Sequence, residues 1–171
     1  MAEFIDSNSD GTVSMYQEKP NQIKVRQLLF SEILTKVHGA KTKAQKIKIL
    51  RDENCPALRQ ICKWSFDPNI ETELPSGTPP YVENDAPEGT EHMLLRTEGD
   101  KLWHFIKGAD PNLQSTVRER MFIRLLEGLH KDEAELLCAV KDKRLHQVYK
   151  GLSTQVVSEA FSWDEDFVLS K

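Results

Sequence analysis

Apolar residues recur at four-residue steps early in the chain, at Val25, Leu29, Ile33 and Val37, and Leu28, Phe30 and Leu34 widen the stripe. That spacing predicts an amphipathic helix opening at Pro20-Asn21. His38 in the last turn and Gly39 just after it predict the stop. Thr42 with Gln45 three residues on has the spacing of a capping box for a second helix, which turns Ile47 and Leu50 inward and Lys41, Lys43, Lys46 and Lys48 outward. That helix ends near Asn54, because Pro56 disfavours helical geometry at Cys55. Pro56 then starts a third helix with Leu58, Ile61 and Cys62 on one side and Trp64 and Phe66 at its end.

The periodicity collapses between Asp67 and Gly89, where five of the eight prolines lie (Pro68, Pro75, Pro79, Pro80, Pro87). A connection of more than about twenty residues without its own pattern is unusual inside a compact domain. Ile70, Leu74, Tyr81 and Val82 give it apolar anchors, so the expectation is an excursion pinned to the domain. Residues 90–96 read equally as extended chain or early helix. Further on, Thr97 with Asp100 and Thr116 with Glu119 have capping-box spacing ahead of Leu102–Ile106 and Val117–Leu126, and Gly108 stops the first of these two helices. Gly128-Leu129 fits a Schellman ending with the glycine left-handed. Another helix carries Asp132, Glu133 and Glu135 at its start and Lys141, Lys143 and Arg144 at its end, as the helix dipole prefers. Ser153 caps a last short helix ending near Phe161, and the tail beyond it is expected to be loosely held.

These elements predict an all-α fold, a compact bundle of about six to seven short helices with one long proline-rich acidic excursion. The 171 residues are divided into an acidic leader (1–20), a single helical domain (21–161, with the excursion at 67–96) and an acidic tail (162–171). No run approaches the roughly 18 apolar residues that span a bilayer, and the start MAEFIDSNSDG has acids where a secretory signal has a basic region. Three cysteines (Cys55, Cys62, Cys138) suit a reducing compartment rather than a disulfide scaffold.

Charge changes the picture more than composition does. The formal net charge of -4 conceals +7 on residues 21–66 and -8 on residues 67–100. Adjacent segments are usually neighbours in space, so mutual neutralisation is the leading expectation. The alternative is a basic face on the second helix (Lys41, Lys43, Lys46, Lys48, Arg51) that attracts phosphates or an acidic partner.

Candidate chemistry is sparse. The chain has no phosphate-cradling glycine loop, no G-x-S-x-G, no H-E-x-x-H and no dinucleotide fingerprint, and its five histidines are scattered. Cys138, within an apolar helical stretch, reads as a core thiol. The expectation is that the protein is not an enzyme and carries no cofactor. Asp6, Asn8 and Asp10 followed by Gly11 match the first half of an EF-hand loop, and calcium is the cation such a loop takes; Gln17 stands where the bidentate Glu belongs. Residues 143–161 resemble a helix-turn-helix corner with Gly151 at the turn, although Gln147 replaces the usual small residue and the exposed second helix has no Lys or Arg. A packing corner is the expected reading.

The runs NCPALRQI, LPSGTPPYVENDAPEGTEH and RERMFIRLLEGLHKDEAELLCAVKDK resemble a family of small uncharacterised proteins encoded by large tailed bacteriophages, notably those of marine cyanobacteria. The likeness covers about Leu29 to Trp163. It implies expression in the cytoplasm of an infected bacterium and an accessory task; it transfers no activity, cofactor or catalytic residue. The resulting expectation is a protein that binds a host or phage protein through Pro79, Pro80 and Tyr81 and the basic face of the second helix, away from any membrane. Two rivals are a nucleic-acid-binding protein using that basic helix or the 143–161 corner, and a virion structural or assembly component.

Overall fold

In the computed structural model, residues 26–87 and 93–169 are described. Helices form where the local signals coincide. α1 (Phe30–Gly39) buries Phe30, Ile33, Leu34 and Val37. α2 (Lys43–Asp52) is closed by the reciprocal capping box expected of Thr42 and Gln45, with Thr42 Oγ1 accepting from Gln45 N at 3.2 Å. α3 (Pro56–Phe66) has its proline in the first turn, where the missing N–H costs nothing. α4 (Leu95–Glu98) runs directly into a 3₁₀ helix (Gly99–Phe105). α5 (Ser115–Gly128), α6 (Lys131–Lys141), the single turn α7 (Leu145–Val148) and α8 (Thr154–Phe161) complete the order. Among the described residues the fold is all-α, with β-pairing confined to the isolated bridges Thr72–Ile106 and Trp163–Leu169. None of these helices is long and apolar enough to cross a membrane.

α3 and α6 form the centre and pack on one another. α3 also meets α4, the 3₁₀ helix and α8, while α6 meets α1, α5 and α7; α2 lies across α8. One continuous core results, from Phe30 through Leu58, Ile61, Phe122, Leu126, Leu137 and Val157 to Phe167.

Several local expectations are corrected by long-range contacts. Pro20-Asn21, where the first helix was expected to open, lie outside the described residues; α1 itself starts at Phe30, after non-helical residues 26–29, where Leu29 is extended and the buried Glu133 carboxylate on α6 accepts the Phe30 N–H at 3.0 Å, fixing the helix start. The same carboxylate accepts the Leu95 N–H at 3.1 Å, so one side chain terminates two helices. Thr97 lies inside α4 and bonds back to the Leu94 carbonyl, and Thr116 lies inside the first turn of α5; neither caps. Gly128 is not left-handed. It ends α5 against Met93, whose N–H donates to the Gly128 carbonyl at 3.0 Å, and a Cβ there would stand 2.6 Å from Met93 Sδ. The tail, expected to be loose, is packed through Leu169: Trp163 and Phe167 are buried, with ring centroids 5.5 Å apart. Its turn is closed by Asp164, which accepts from Asp166 N and Val168 N.

Candidate functional site

The proline-rich excursion is anchored as expected by Leu74, which is buried, and by Ile70 and Tyr81, which pack partly buried on the core. Val82 does not contribute; it is 75% exposed. Much of the anchoring is polar. Glu73 N donates to the Phe105 carbonyl and Lys107 N to the Glu71 carbonyl, each at 2.9 Å, so the segment runs beside the end of the 3₁₀ helix. Further on, the Lys141 side chain is 1% exposed, and its ammonium donates to the Pro75 carbonyl at 2.7 Å and to Asp142 Oδ1 at 2.6 Å. Asp142 in turn accepts the Gly77 N–H at 3.1 Å. Gly77 has φ +87, a conformation that a side chain would strain. A buried ammonium is tolerable only when paired and hydrogen-bonded, and here the loop carbonyl supplies the second partner.

Beside this clamp, the loop and α5 line a pocket of about 330 Å³. Leu74, Pro79 and Pro80 form one wall and Phe122 and Ile123 of α5 the other, with Glu119 and Lys141 as its charged members. Its volume falls at the small end of the range typical of ligand sites, and the lining is predominantly apolar. Cys138 lies under the same loop: burial pushes its thiol up, opposed by Lys141 and by a hydrogen bond with Thr78. Tyr81 is likewise pushed up, first by burial and then by the neighbouring Cys138, Glu83 and Glu135.

The structure thus places Pro79 and Pro80 at a pocket, with Tyr81 beside them as an anchor. It does not bring the basic residues of α2 to that place. Lys43 pairs with Glu159 of α8, Lys48 pairs with Asp52 at 2.6 Å, and Arg51 donates to the Ala160 and Glu159 carbonyls at 3.2 and 2.8 Å, capping the end of α8. Lys41 is exposed and Lys46 half-buried. The expected neutralisation of the basic block by the acidic one takes another form: Glu71 pairs with Lys107 and Glu98 with Lys101, while Asp67 accepts from Lys143 through its backbone carbonyl. The 143–161 corner is a packing joint. Gly151 is pressed against the end of α1, where a Cβ would stand 2.6 Å from the Val37 carbonyl oxygen. Asp6, Asn8 and Asp10 lie outside the described residues. Among the described residues no three His, Cys, Asp or Glu side chains converge to hold a metal ion.

Sequence reasoning missed Lys141, Phe122, Ile123 and Glu119 as members of the site. Lys141 carries a signal only in hindsight: with Glu133 it is one of two charged side chains that α6 buries among apolar ones. Over residues 33–147 the chain matches the model of a family of unknown function, DUF6433, and it belongs to that family. No curated protein and no solved structure matches it.

Proposed function

We infer that this member of the DUF6433 family is a non-enzymatic binding protein that acts by protein–protein interaction, performing in the cytoplasm of an infected bacterium the accessory task that the resemblance to phage-encoded proteins implies. The observation that supports this reading is the pocket lined by Pro79 and Pro80, in a loop that the Lys141–Asp142 clamp ties down at Pro75 and Gly77. A proline segment fixed in this way has already lost its conformational freedom, so an incoming group meets a preorganised wall. The pocket accepts an apolar side chain of a partner, the kind of buried anchor that dominates binding energy at protein interfaces. Glu119 at the pocket and the exposed Glu73, Glu83 and Asp85 on the excursion favour a partner segment whose anchor is flanked by basic residues. The nucleic-acid rival loses ground because Lys43, Lys48 and Arg51 are engaged by Glu159, Asp52 and the end of α8.

Site-specific photo-crosslinking tests this reading. Benzoylphenylalanine is placed at position 80 in one variant and at position 48 in another, and both are irradiated in lysate of infected cells. Adducts to a protein from position 80, lost on Ile123→Glu with the melting temperature unchanged, are expected. Adducts from position 48 alone that vanish with nuclease would transfer the function to nucleic-acid binding, and silence at both positions would refute the proposal.

A further inference from the structure

Two charged side chains line the pocket at Pro79 and Pro80, and the fold treats them differently. Lys141 is already engaged. Its side chain is 1% exposed, and its ammonium is held by the Pro75 carbonyl and by Asp142 Oδ1, whose carboxylate balances its charge. Glu119 is exposed, and among the described residues its carboxylate has no ion pair and no hydrogen bond. Its own helix offers it no cation. Side chains three and four positions away share its face of α5, and these are Ser115, Thr116, Phe122 and Ile123. Arg118 is buried and donates to the His104 and Asp110 carbonyls at 2.8 and 2.7 Å. Arg120 and Arg124 lie about 100° and 140° round the helix from Glu119. The pocket therefore joins an apolar lining to one unbalanced negative charge, set one helical turn, about 6 Å, from Ile123.

We propose that Glu119 sets the specificity of this pocket: the partner is a peptide segment whose apolar anchor enters against Ile123 and Pro80 and whose Lys or Arg, about 6 Å from that anchor, pairs with Glu119. This rests on the pocket being the docking site and adds which segments it selects. The required spacing is met two residues along an extended chain or four along a helix. A Lys or Arg also lays its methylene stem on apolar surface, so the cation need not leave the lining bare. Rejection contributes as much as attraction. An acid at the same place meets a like charge with no free cation in the lining to offset it, which disfavours anionic partners. Glu73, Glu83 and Asp85 of the excursion do not line the pocket, so this selection falls to Glu119.

The test is selection of a random dodecapeptide library on the immobilised full-length protein. Wild type, Glu119→Lys and Ile123→Glu are compared, and circular dichroism melting checks that the exposed-site variant Glu119→Lys folds as wild type does. Wild type should enrich peptides that carry a Leu, Ile, Phe or Met with a Lys or Arg two or four positions away, about two- to fivefold over the same peptides with Asp or Glu there. Glu119→Lys should invert that charge preference and keep the apolar anchor, and Ile123→Glu should lose the peptides altogether. Anchored peptides without a charge preference, or with one that Glu119→Lys leaves unchanged, would overturn the role of Glu119 while leaving the pocket as the docking site. Peptides retained by Ile123→Glu, or no enrichment on wild type, would overturn both.

Discussion

Glu133 fixes the starts of two helices from a third, and replacing it should show this. Its carboxylate is 2% exposed on α6 and accepts from Phe30 N at 3.0 Å and from Leu95 N at 3.1 Å, the first N–H groups of α1 and α4. A carboxylate at a helix start also complements the positive end of the helix dipole. Glu133→Ala leaves two buried N–H donors without an acceptor, at about 1–3 kcal/mol each, and removes charge-assisted bonds worth more than neutral ones. The expected loss is therefore about 3–5 kcal/mol, or about 10–15 °C in melting temperature for a domain of this size. Glu133→Gln retains one acceptor oxygen and should lose roughly half as much. Urea unfolding followed by far-UV circular dichroism and by tryptophan emission checks both variants. A loss below about 1 kcal/mol for the alanine variant would refute the idea that this carboxylate anchors the two helix starts.

Two further outcomes follow from burial and from backbone clearance. The Cys62 thiol is pushed from 9.0 up to about 12, chiefly by burial and secondarily by Cys55, and Tyr149 is pushed from 10.0 up to about 12, chiefly by burial and then by the carboxylates of Asp132, Glu135 and Glu133. Above pH 9 the unfolded thiol releases its proton while the folded one keeps it, so the stability present below pH 9 falls as pH rises toward 12. Cys62 alone accounts for a decline of up to roughly 4 kcal/mol over that window, which Cys62→Ala should flatten in urea titrations at successive pH values; an unchanged slope would contradict the assignment. Gly151→Ala should destabilise by about 1–3 kcal/mol, since its Cβ meets the Val37 carbonyl oxygen at 2.6 Å, whereas Gly39→Ala, with nothing within 4 Å, should gain about 0.5–1 kcal/mol. Thermal scanning of the pair decides, and equal effects would refute the clearance argument.

Much of the helix inventory was legible because its signals are local. The Thr42–Gln45 box and the first-turn Pro56 specify their helix starts within four residues, and the structure uses both. Residues 26–29 read as helix and residues 90–96 read either way because the acceptor that fixes the starts of α1 and α4 is supplied from α6, 103 and 38 residues away. Gly128 and Gly151 both read as turn glycines, yet neither has positive φ; each is required because another segment's atoms fill the space of its Cβ. The tail was misread for a similar reason, since Trp163 and Phe167 look isolated along the chain and meet only in the folded core.

The candidate site was half legible for the same physical reason. The prolines of the excursion announce rigidity, and its apolar residues announce anchoring; neither announces what lies opposite. Phe122 and Ile123 belong to a helix whose start is about 35 residues beyond Pro80, and Lys141 is separated from Pro75 by 66 positions. The basic helix shows the converse. Its five cations form a convincing face along the sequence, but a charge is available to a partner only if the fold leaves it unused. Glu159, Asp52 and the carbonyl end of α8 engage three of the five before any partner arrives. Charge runs therefore overstate a binding face when the opposing acid lies more than a hundred residues away, as Glu159 does from Lys43. Rigid apolar segments understate a pocket when its second wall is equally remote, and the surface that gains from folding here is the proline excursion rather than the lysine-rich helix.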